Sequence, residues 1–351
     1  MKKSIKTLFT ATLLMAATML TACGGDSDVI GGADGPTDIQ VGDAYKVAIV
    51  KYVDDASLNQ IEDAIIAQLE AKEAELGVNF EILQYNGQAD GAVLNQIAAD
   101  VLAEEVDAVV PIATPAAVLL QVATEDTDIP VIFSAVSNPV EDGLVAAADA
   151  PGANVTGTSD GIDTAAIFKL MQLQNPDIKK VGLLYDKGQS SSLVSIADAK
   201  AFCDANNIEF VEKTGTTVSE IQAAADVLVA EKVDAVFTPQ DNTVMTAELA
   251  IYEKFLDAGI PHYTGADSFA LNGAFMGYGV NYENLGTLTA DMVIEIVVNG
   301  ADPAATPIQK LQEGILTVNT DTAAALSIDY SIFADHCDEL KEIQTGQEFS
   351  E

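Results

Sequence analysis

An internal repeat of about 130 residues constrains the fold of this chain more than any other feature. From Tyr45 onward, short runs rich in β-branched residues alternate with amphipathic helical stretches, a pattern typical of βαβ units and a mostly parallel sheet. The period is too long for a solenoid. The sequence therefore predicts an α/β fold made of two doubly wound, Rossmann-like domains. Three landmarks recur, at offsets of 134, 127 and 131 residues: Val47 and Val181, Val106 and Val233, and the Ile-Pro pairs at 129–130 and 260–261.

Polar residues follow a predicted strand at the same place in both copies. Thr114 opens a helix in the first copy, and Asp241-Asn242 opens one in the second. In open α/β sheets, ligands bind beyond the carboxyl ends of the strands. We therefore expect the two sets of turns to form the two sides of one ligand-binding cleft.

The charge balance excludes one class of partner. The chain has 54 acidic and 16 basic residues, a formal net charge of −38, and every basic residue is Lys. Nucleic acid is not expected as a partner, because binding it requires a cationic surface. Without Arg, a carboxylate in the ligand must be met by backbone N–H groups, hydroxyls, helix N-termini or Lys.

The N-terminus has the pattern of an export signal. Lys2, Lys3 and Lys6 precede an apolar run over 8–20 that is shorter than the roughly 20 residues of a membrane span. The "LTAC" sequence ending at Cys23 resembles a bacterial lipobox, so 1–23 is predicted to be a signal peptide and Cys23 the lipidation site. An ordinary signal peptide is the alternative. Residues 24–44, rich in Gly, Asp and Ser, are predicted to be a flexible linker.

Few residues of this sequence suit catalysis or metal binding. The only histidines, His262 and His336, have no Cys or second His at a metal-binding spacing, and neither G-x-S-x-G nor HExxH occurs. We expect no metal and no cofactor. A pair of carboxylates across the cleft stays open as a catalytic alternative. Cys203, on a predicted helix, is expected to be a buried free thiol, although pairing with Cys337 after export also stays open.

A series of short motifs occurs in a defined order: "ATPAA", "FSAVSNPV", "TGTSD", "YDKGQSSS", "PQDNTV" and "GVNYENLG". Together with the lipobox and the repeated halves, they resemble the substrate-binding lipoproteins of tryptophan/tyrosine-type ABC importers over roughly residues 45–320. Each motif alone is weakly specific for a family. Their order and spacing together are more specific. The resemblance implies a type I periplasmic-binding fold that delivers a small molecule to a membrane permease.

That fold implies discontinuous domains, because the chain crosses between them three times. The crossings are expected near Gly157-Thr158, near Gly279-Val280 and around Pro307, with a helix over 284–299 packing back on the first domain. The N-terminal lobe is then 45–157 plus 280–306, and the C-terminal lobe is 158–279 plus 307–345. Ligand binding would favour the closed arrangement of a three-crossover hinge.

The resemblance also implies a ligand, a partner and a location. An aromatic amino acid such as tyrosine or tryptophan is the first expectation. Another amino acid, a nucleoside or a sugar is an alternative, as is a role as surface receptor or adhesin. A cleft enzyme such as an amino-acid racemase is a remote alternative, since neither Cys203 nor Cys337 lies at a predicted cleft turn. We expect a monomer, lipid-anchored to the outer face of the bacterial cytoplasmic membrane or cell surface, that serves an ABC permease.

The predicted ligand-binding residues all lie at or near the ends of predicted strands. Serine hydroxyls near 134–138 and 190–192 are the expected seats for a ligand carboxylate, and Asp241 is the expected partner of a ligand ammonium. We expect Asp241→Ala to weaken binding without unfolding the protein. Lys51 and Lys187, which flank these turns, are expected to be solvated. Tyr52, Tyr185, Tyr263 and Tyr278 are candidates for apolar walls. The full set of predicted ligand contacts is Tyr52, Asp55, Ser57, Thr114, Ser134, Ser137, Asp160, Ser190, Ser191, Asp241, Asn242 and Asp267.

Overall fold

The computed structural model describes residues 43–311 and 314–346. The predicted signal peptide, Cys23 and nearly all of the predicted linker lie outside these residues. Within them are two sheets flanked by helices, which we call the first and second lobes. No helix in the described ranges is both long and apolar enough to span a bilayer.

The sheet of the first lobe contains six parallel strands in the order β11-β5-β4-β3-β1-β2. Its central strands are buried on both faces, as expected for a parallel sheet covered by helices. The strands are β1 (Ala44–Lys51), β2 (Asn79–Asn86), β3 (Ala108–Ile112), β4 (Val131–Phe133), β5 (Val155–Ser159) and β11 (Gln309–Lys310).

The sheet of the second lobe contains seven strands in the order β13-β12-β10-β9-β8-β6-β7, with only the β10–β12 pair antiparallel. Its strands β7-β6-β8-β9-β10 repeat the order β2-β1-β3-β4-β5 of the first lobe, so the repeat in the sequence is a repeat of topology. The strands are β6 (Lys180–Tyr185), β7 (Glu209–Thr214), β8 (Ala235–Thr238), β9 (His262–Thr264), β10 (Met276–Gly279), β12 (Ile315–Asn319) and β13 (Glu339–Ile343).

Ten α-helices and two short 3-10 helices (Pro303–Ala305 and Tyr330–His336) occur in the described ranges. Their ends follow local chemistry: Asp55 caps the first helix by accepting from Ser57 N at 2.9 Å, and Gly77 ends it in the left-handed region. The helices are α1 (Ala56–Leu76), α2 (Gly91–Ala103), α3 (Thr114–Thr124), α4 (Thr164–Gln174), α5 (Ser190–Asn206), α6 (Val218–Ala230), α7 (Asn242–Asp257), α8 (Asp267–Leu271), α9 (Tyr282–Val297) and α10 (Thr320–Leu326).

The chain crosses between the lobes three times in the described ranges. The first crossing follows Ser159, because β5 pairs in the first sheet along its whole length, so it falls after the predicted Gly157-Thr158. The second separates β10 from α9, as expected, and α9 packs on α1 in the first lobe. The third follows Lys310, because β11 pairs with β5, and is therefore later than the predicted Pro307.

The two cysteines in the described ranges are both unpaired. Cys203 is buried on α5, and burial raises the pKa of its thiol to about 12. The thiol therefore behaves as a small apolar side chain of the core. The expectation of a buried free thiol is confirmed.

Candidate functional site

Two adjoining cavities between the lobes lie at the carboxyl ends of the parallel strands. The larger, which we call the outer cleft, has a volume of about 850 Å³. The smaller, the inner chamber, lies behind it with a volume of about 30 Å³, enough for one or two water molecules. Thr114, Ser191 and Asn242 line both cavities, so the two are contiguous. The inner chamber is lined by Ser57, Leu58, Ala113, Thr114, Ala135, Ser137, Asp160, Ser191, Gln240, Asn242, Met245, Ala266, Phe269 and Tyr282.

Thr114 is the first residue of α3 and has an unusual hydroxyl. Thr114 does not cap the helix: Ala113 is the cap residue, with a φ of 79°, and no side chain caps the helix. Thr114 is 4% exposed, and its buried hydroxyl has no hydrogen-bond partner in the described part of the chain. Buried polar groups are normally hydrogen-bonded, so this hydroxyl and the adjacent N-terminus of α3 are suited to an acceptor supplied by a ligand.

Asp160 directly follows β5 and presents its carboxylate to the inner chamber. The carboxylate accepts from Ser137 Oγ at 3.1 Å and from Gln240 Nε2 at 2.9 Å. Lys310 acts on it only at longer range: Lys310 lines a separate cavity, and no ion pair forms between the two residues. Burial raises the pKa of Asp160 to about 6. A buried carboxylate without a bonded cation is energetically costly, so a cationic ligand group would stabilise it.

Gln240 closes the inner chamber from the second lobe. Its amide nitrogen donates both to the Asp160 carboxylate and to the Asp160 carbonyl, the latter at 2.7 Å. Its amide oxygen accepts from Ser137 Oγ of the first lobe at 3.2 Å. The side chain of Gln240 therefore occupies the hydrogen-bonding position on Asp160 that a ligand ammonium would need.

Further hydrogen bonds join the lobes at the edges of the chamber. Asn138 Nδ2 donates to the Ser191 carbonyl at 3.3 Å. Ser57 Oγ donates to Asp267 Oδ1 at 2.6 Å, and Gln60 Nε2 donates to Asp267 Oδ2 at 3.2 Å. These contacts hold the two lobes together around the inner chamber.

The structure brings most of the predicted ligand-binding residues to a cavity wall, and it places the rest behind one. Tyr52 and Ser190 line the outer cleft only. On the wall of the inner chamber are Ser57, Thr114, Ser137, Asp160, Ser191 and Asn242. Asp55 lines a third cavity between the lobes, of about 340 Å³. Ser134, Asp241 and Asp267 lie behind the walls.

Asp241 has no acceptor position left for a ligand, contrary to expectation. Its Oδ1 accepts from the N–H groups of Thr243 and Val244, which caps α7. Its Oδ2 accepts from Asp186 N and from Ser192 Oγ, both at 2.7 Å. The side chain is fully buried, so Asp241 holds three segments of the second lobe together and does not face a ligand ammonium.

The side chains of Asp55, Ser134 and Asp267 are also hydrogen-bonded to other protein groups. Asp55 caps α1. Ser134 Oγ is buried between the hydroxyls of Thr158 and Thr289, at 3.2 and 2.9 Å, so it is not a carboxylate seat. Asp267 accepts the two cross-lobe bonds described above. Each of these side chains therefore holds a neighbouring protein group in place.

The serines at the start of α5 are likewise committed. Ser190 hydrogen-bonds Asp142, Ser191 Oγ donates to the Gln240 carbonyl at 3.3 Å, and Ser192 Oγ donates to Asp241. These hydroxyls do not form the free carboxylate seat that the run of three serines suggested. Among the hydroxyls on the two cavity walls, within the described residues, the Thr114 hydroxyl alone has no hydrogen-bond partner.

The apolar walls of the inner chamber include two aromatic rings that sequence reasoning missed, Phe269 and Tyr282. Of the four predicted tyrosines, Tyr52 lines the outer cleft, whereas Tyr185 and Tyr263 are core residues and Tyr278 lines a separate cavity. Gln240, also missed, lies in the same "PQDN" turn as Asp241. Tyr282 opens α9 directly after its Asn281 cap, and this position after a strand was the available signal.

The charged groups on the two cavity walls are all carboxylates. Asp160 lines the inner chamber and Asp186 the outer cleft, and no Lys of the described ranges lines either one. Lys51, expected to be solvated, is instead buried and bonded to Glu62 at 2.6 Å and Asp54 at 3.0 Å. The described residues contain no group of side chains arranged to hold a metal ion.

Comparisons with known proteins agree with this architecture. A family model described as ABC transporter substrate binding protein matches residues 46–332. The tyrosine-binding protein of Clostridioides difficile (strain R20291) is 30% identical over 329 residues, 93% of each chain. The structure of an ABC domain in complex with L-Trp from Streptococcus pneumonia is 27% identical, with a TM-score of 0.78, and the match covers 85% of this chain and 99% of that one.

A further solved structure indicates how the lobes are arranged. The ligand-free, open structure of a substrate binding protein with adhesive properties from Clostridium difficile is 28% identical, and the match covers 86% of this chain and 99% of that one. Its TM-score is 0.66, lower than that of the L-Trp complex at nearly equal identity and coverage. The lobes are therefore placed more as in the ligand-bound relative than as in the open one.

Proposed function

Since the chain belongs to the ABC transporter substrate-binding proteins, we propose that it captures an aromatic amino acid, tyrosine or tryptophan, between its lobes. The members of this family are solute-binding proteins of type I periplasmic-binding fold and not enzymes. Two relatives of 27% identity or more, the tyrosine-binding protein and the L-Trp complex, are named for an aromatic amino acid and support this ligand class. The family places such proteins outside the cytoplasm.

The observation that carries the proposal is the composition of the inner chamber. The rings of Phe269 and Tyr282 and the side chain of Leu58 supply apolar surface, while Asp160 and Thr114 supply polar groups in the same chamber. An amino acid with an aromatic side chain has an ammonium, a carboxylate and a ring. Each of these finds a group of matching chemistry in this chamber.

In the proposed complex, Asp160 accepts from the ligand ammonium. The Thr114 hydroxyl and the N-terminus of α3 receive the ligand carboxylate, which favours the positive end of the helix dipole. The ligand ammonium replaces the Gln240 amide on the Asp160 carboxylate.

The lobes must separate for the ligand to enter. The chamber volume of about 30 Å³ is far below the roughly 300–1,000 Å³ of ligand pockets. Rotation about the three crossings would break the cross-lobe bonds of Gln240 and Asp267 and join the chamber to the outer cleft. The ligand then favours the closed state by the contacts that it makes to both lobes.

The remaining parts of the proposal concern the location. The chain is exported, is lipid-modified at Cys23, and is tethered to the outer face of the bacterial cytoplasmic membrane by residues 24–44. From there, as a monomer, it delivers its ligand to an ABC permease that recognises the closed lobes. The lipobox-like sequence before Cys23 supports the anchor.

The test of the ligand is a calorimetric titration with tyrosine, tryptophan and phenylalanine, alongside leucine, lysine, uridine and myo-inositol. The expected result is a Kd for at least one aromatic amino acid that is at least about tenfold lower than for the other compounds, equivalent to about 1.4 kcal/mol. Selective binding of uridine or inositol would keep the two-lobed binding protein and reject the aromatic ligand.

Adhesion is a second candidate, because a 28% identical relative is described as having adhesive properties. Adhesion and ligand capture are compatible on one anchored protein. The purified chain should then bind cultured epithelial cells saturably, and the amino-acid ligand should leave that binding unchanged if a different surface is used. Absence of saturable binding would remove this candidate.

A further inference from the structure

The charges around the inner chamber are one-sided. Asp160 faces the chamber, and two more carboxylates lie one hydrogen bond behind Ser57: Asp55 accepts from its N–H at 2.9 Å and Asp267 from its hydroxyl at 2.6 Å. Asp186 faces the contiguous outer cleft. No Lys of the described ranges lines either cavity, and the sequence contains no Arg. The walls of the two cavities therefore carry two acidic side chains, Asp160 and Asp186, and no basic one.

The seat for a ligand carboxylate is, by contrast, uncharged and sparse. The hydroxyls of Ser134, Ser137 and Ser191 are bonded to other protein groups. Only the Thr114 hydroxyl on these walls is without a partner in the described chain, beside the N-terminus of α3. A carboxylate bound there gains one hydrogen bond and a helix dipole, and it experiences repulsion from Asp160.

The two charged ends of an amino acid thus matter unequally. A ligand without its ammonium would displace the Gln240 amide from the buried Asp160 carboxylate and supply no donor in its place, beside a second negative charge if the ligand is an acid. A ligand without its carboxylate would leave the Thr114 hydroxyl unpaired, which is already its condition in this structure. Losing the ammonium is therefore costly, and losing the carboxylate is tolerated.

We propose that this site recognises the ammonium as its obligatory group and accordingly binds aromatic monoamines that lack a carboxylate, with tyramine and tryptamine as representatives. The inference rests on the proposed function, because it uses the same chamber and the same aromatic body. It extends the ligand class from aromatic amino acids to their decarboxylated forms.

The experiment is a calorimetric titration of the protein with tyrosine, tyramine and 3-(4-hydroxyphenyl)propionate, which share one ring and differ only in charged groups. The Kd of tyramine is expected within about tenfold of that of tyrosine, and that of the propionate at least about a hundredfold higher. Tyrosine binding with no detectable tyramine binding overturns this inference and leaves the proposed function intact. No binding of either tyrosine or tyramine overturns both.

Two variants separate the roles of the ends. Asp160→Asn should raise the Kd of both tyrosine and tyramine by at least about tenfold, because it removes the negative partner of the ammonium. Thr114→Val, which keeps the shape of the side chain, should raise the Kd of tyrosine by about tenfold and leave that of tyramine unchanged. Asp149→Asn, at an exposed loop position, is the charge-matched control.

Two precautions distinguish a loss of binding from a loss of folding. Circular dichroism and melting temperature establish that each variant is folded. If Asp160→Asn does not fold, the Thr114→Val comparison decides alone. An equal loss of tyrosine and tyramine affinity in Thr114→Val would overturn the separation of the two ends.

Discussion

At the scale of single residues, the decisive property of a carboxylate near the cleft is how many of its acceptor positions the protein already uses. Asp241 and Asp160 both follow strands and are both buried. Asp241 accepts four hydrogen bonds from its own lobe, two of them from the first turn of α7. Asp160 accepts from two uncharged side chains, one of which comes from the opposite lobe. Asp241 therefore stabilises the fold, and Asp160 is available to a ligand.

We predict that Asp241→Ala reduces the stability of the fold. Loss of an N-cap costs about 0.5–2 kcal/mol, and each buried donor left unpaired costs about 1–3 kcal/mol, so the free energy of unfolding should fall by about 3 kcal/mol or more. Urea unfolding followed by circular dichroism measures this. The matched control is Asp90→Ala, which removes the exposed cap of α2 and should cost about 1 kcal/mol. Equal losses for the two variants would contradict the role given to Asp241.

At the scale of elements, the return of the chain to the first lobe depends on close contact between α9 and α1. A Cβ at Gly286 of α9 would lie 2.5 Å from the Ile61 carbonyl oxygen and 2.7 Å from Ala64 Cβ. Neither atom can move without shifting the backbone of α1. A glycine is therefore required here by the approach of two helices, although glycine is a poor helix former.

Gly286→Ala is expected to destabilise the protein, although alanine favours helix by about 1 kcal/mol. Overpacking costs about 1–3 kcal/mol, so the free energy of unfolding should fall by about 1–2 kcal/mol. The control is Gly91→Ala in the first turn of α2, where a Cβ meets no atom within 4 Å. That variant should be neutral or slightly stabilised. Greater stability of Gly286→Ala in chemical denaturation would show that α9 and α1 separate readily.

At the scale of the whole molecule, closure of the lobes depends on hydrogen bonds around the buried Asp160 carboxylate. Gln240 of the second lobe bridges to Ser137 and Asp160, and it is also hydrogen-bonded with the Tyr282 hydroxyl. At Gln240 the lobes are thus held by an uncharged amide around a carboxylate that lacks a bonded cation. A ligand ammonium would supply the missing charge and retain the closure.

We expect Gln240→Ala to open the ligand-free protein. Without the amide, the bonds to Ser137 and Asp160 are lost, and the equilibrium between the lobe arrangements shifts toward the open one. Small-angle X-ray scattering should give a larger radius of gyration for the variant than for the wild type without ligand. The two should coincide when saturated with ligand. An unchanged radius in the ligand-free variant would mean that other contacts hold the lobes closed.

The raised pKa values predict how stability depends on pH. Burial raises the pKa of Asp55, Asp160 and Asp241 from 3.8 to about 6. Between these values the folded protein binds protons that the unfolded chain has released. The stabilisation that these three carboxyl groups contribute is therefore fully present below about pH 4 and is lost as the pH rises through about 6.

The melting temperature of the ligand-free protein should accordingly fall between pH 4.5 and pH 7. The raised pKa values of Asp55 and Asp241 add to this trend, so the informative quantity is the difference between wild type and Asp160→Asn. The groups that face Asp160 are Ser137, Gln240 and Tyr282, with Lys310 at longer range. Each pKa unit corresponds to about 1.4 kcal/mol of stability. Because Asp160→Asn removes one titrating group, the melting temperature of the variant should decline less steeply with pH. Parallel pH profiles would contradict the raised pKa of Asp160.

The sequence by itself determined the architecture, because hydrophobic periodicity, turn residues and the 130-residue repeat are local or regular signals. It placed Thr114, Ser137, Asp160 and Asn242 correctly at the ends of strands, where the topology of a doubly wound sheet carries them to a cleft. The absence of Arg, also visible in the sequence, indicated that a ligand carboxylate must be met without a guanidinium.

Only the tertiary structure decided which of these side chains are free to bind. Asp241 and Asp160 are alike in sequence context, but the first is consumed by Ser192 and Asp186, which lie about 50 residues earlier in the chain. Phe269 and Tyr282 reach the chamber because α8 and α9 start at the cleft, a fact that no local pattern contains. Acceptor use and ring position depend on contacts between distant segments, and those contacts exist only once the chain has folded.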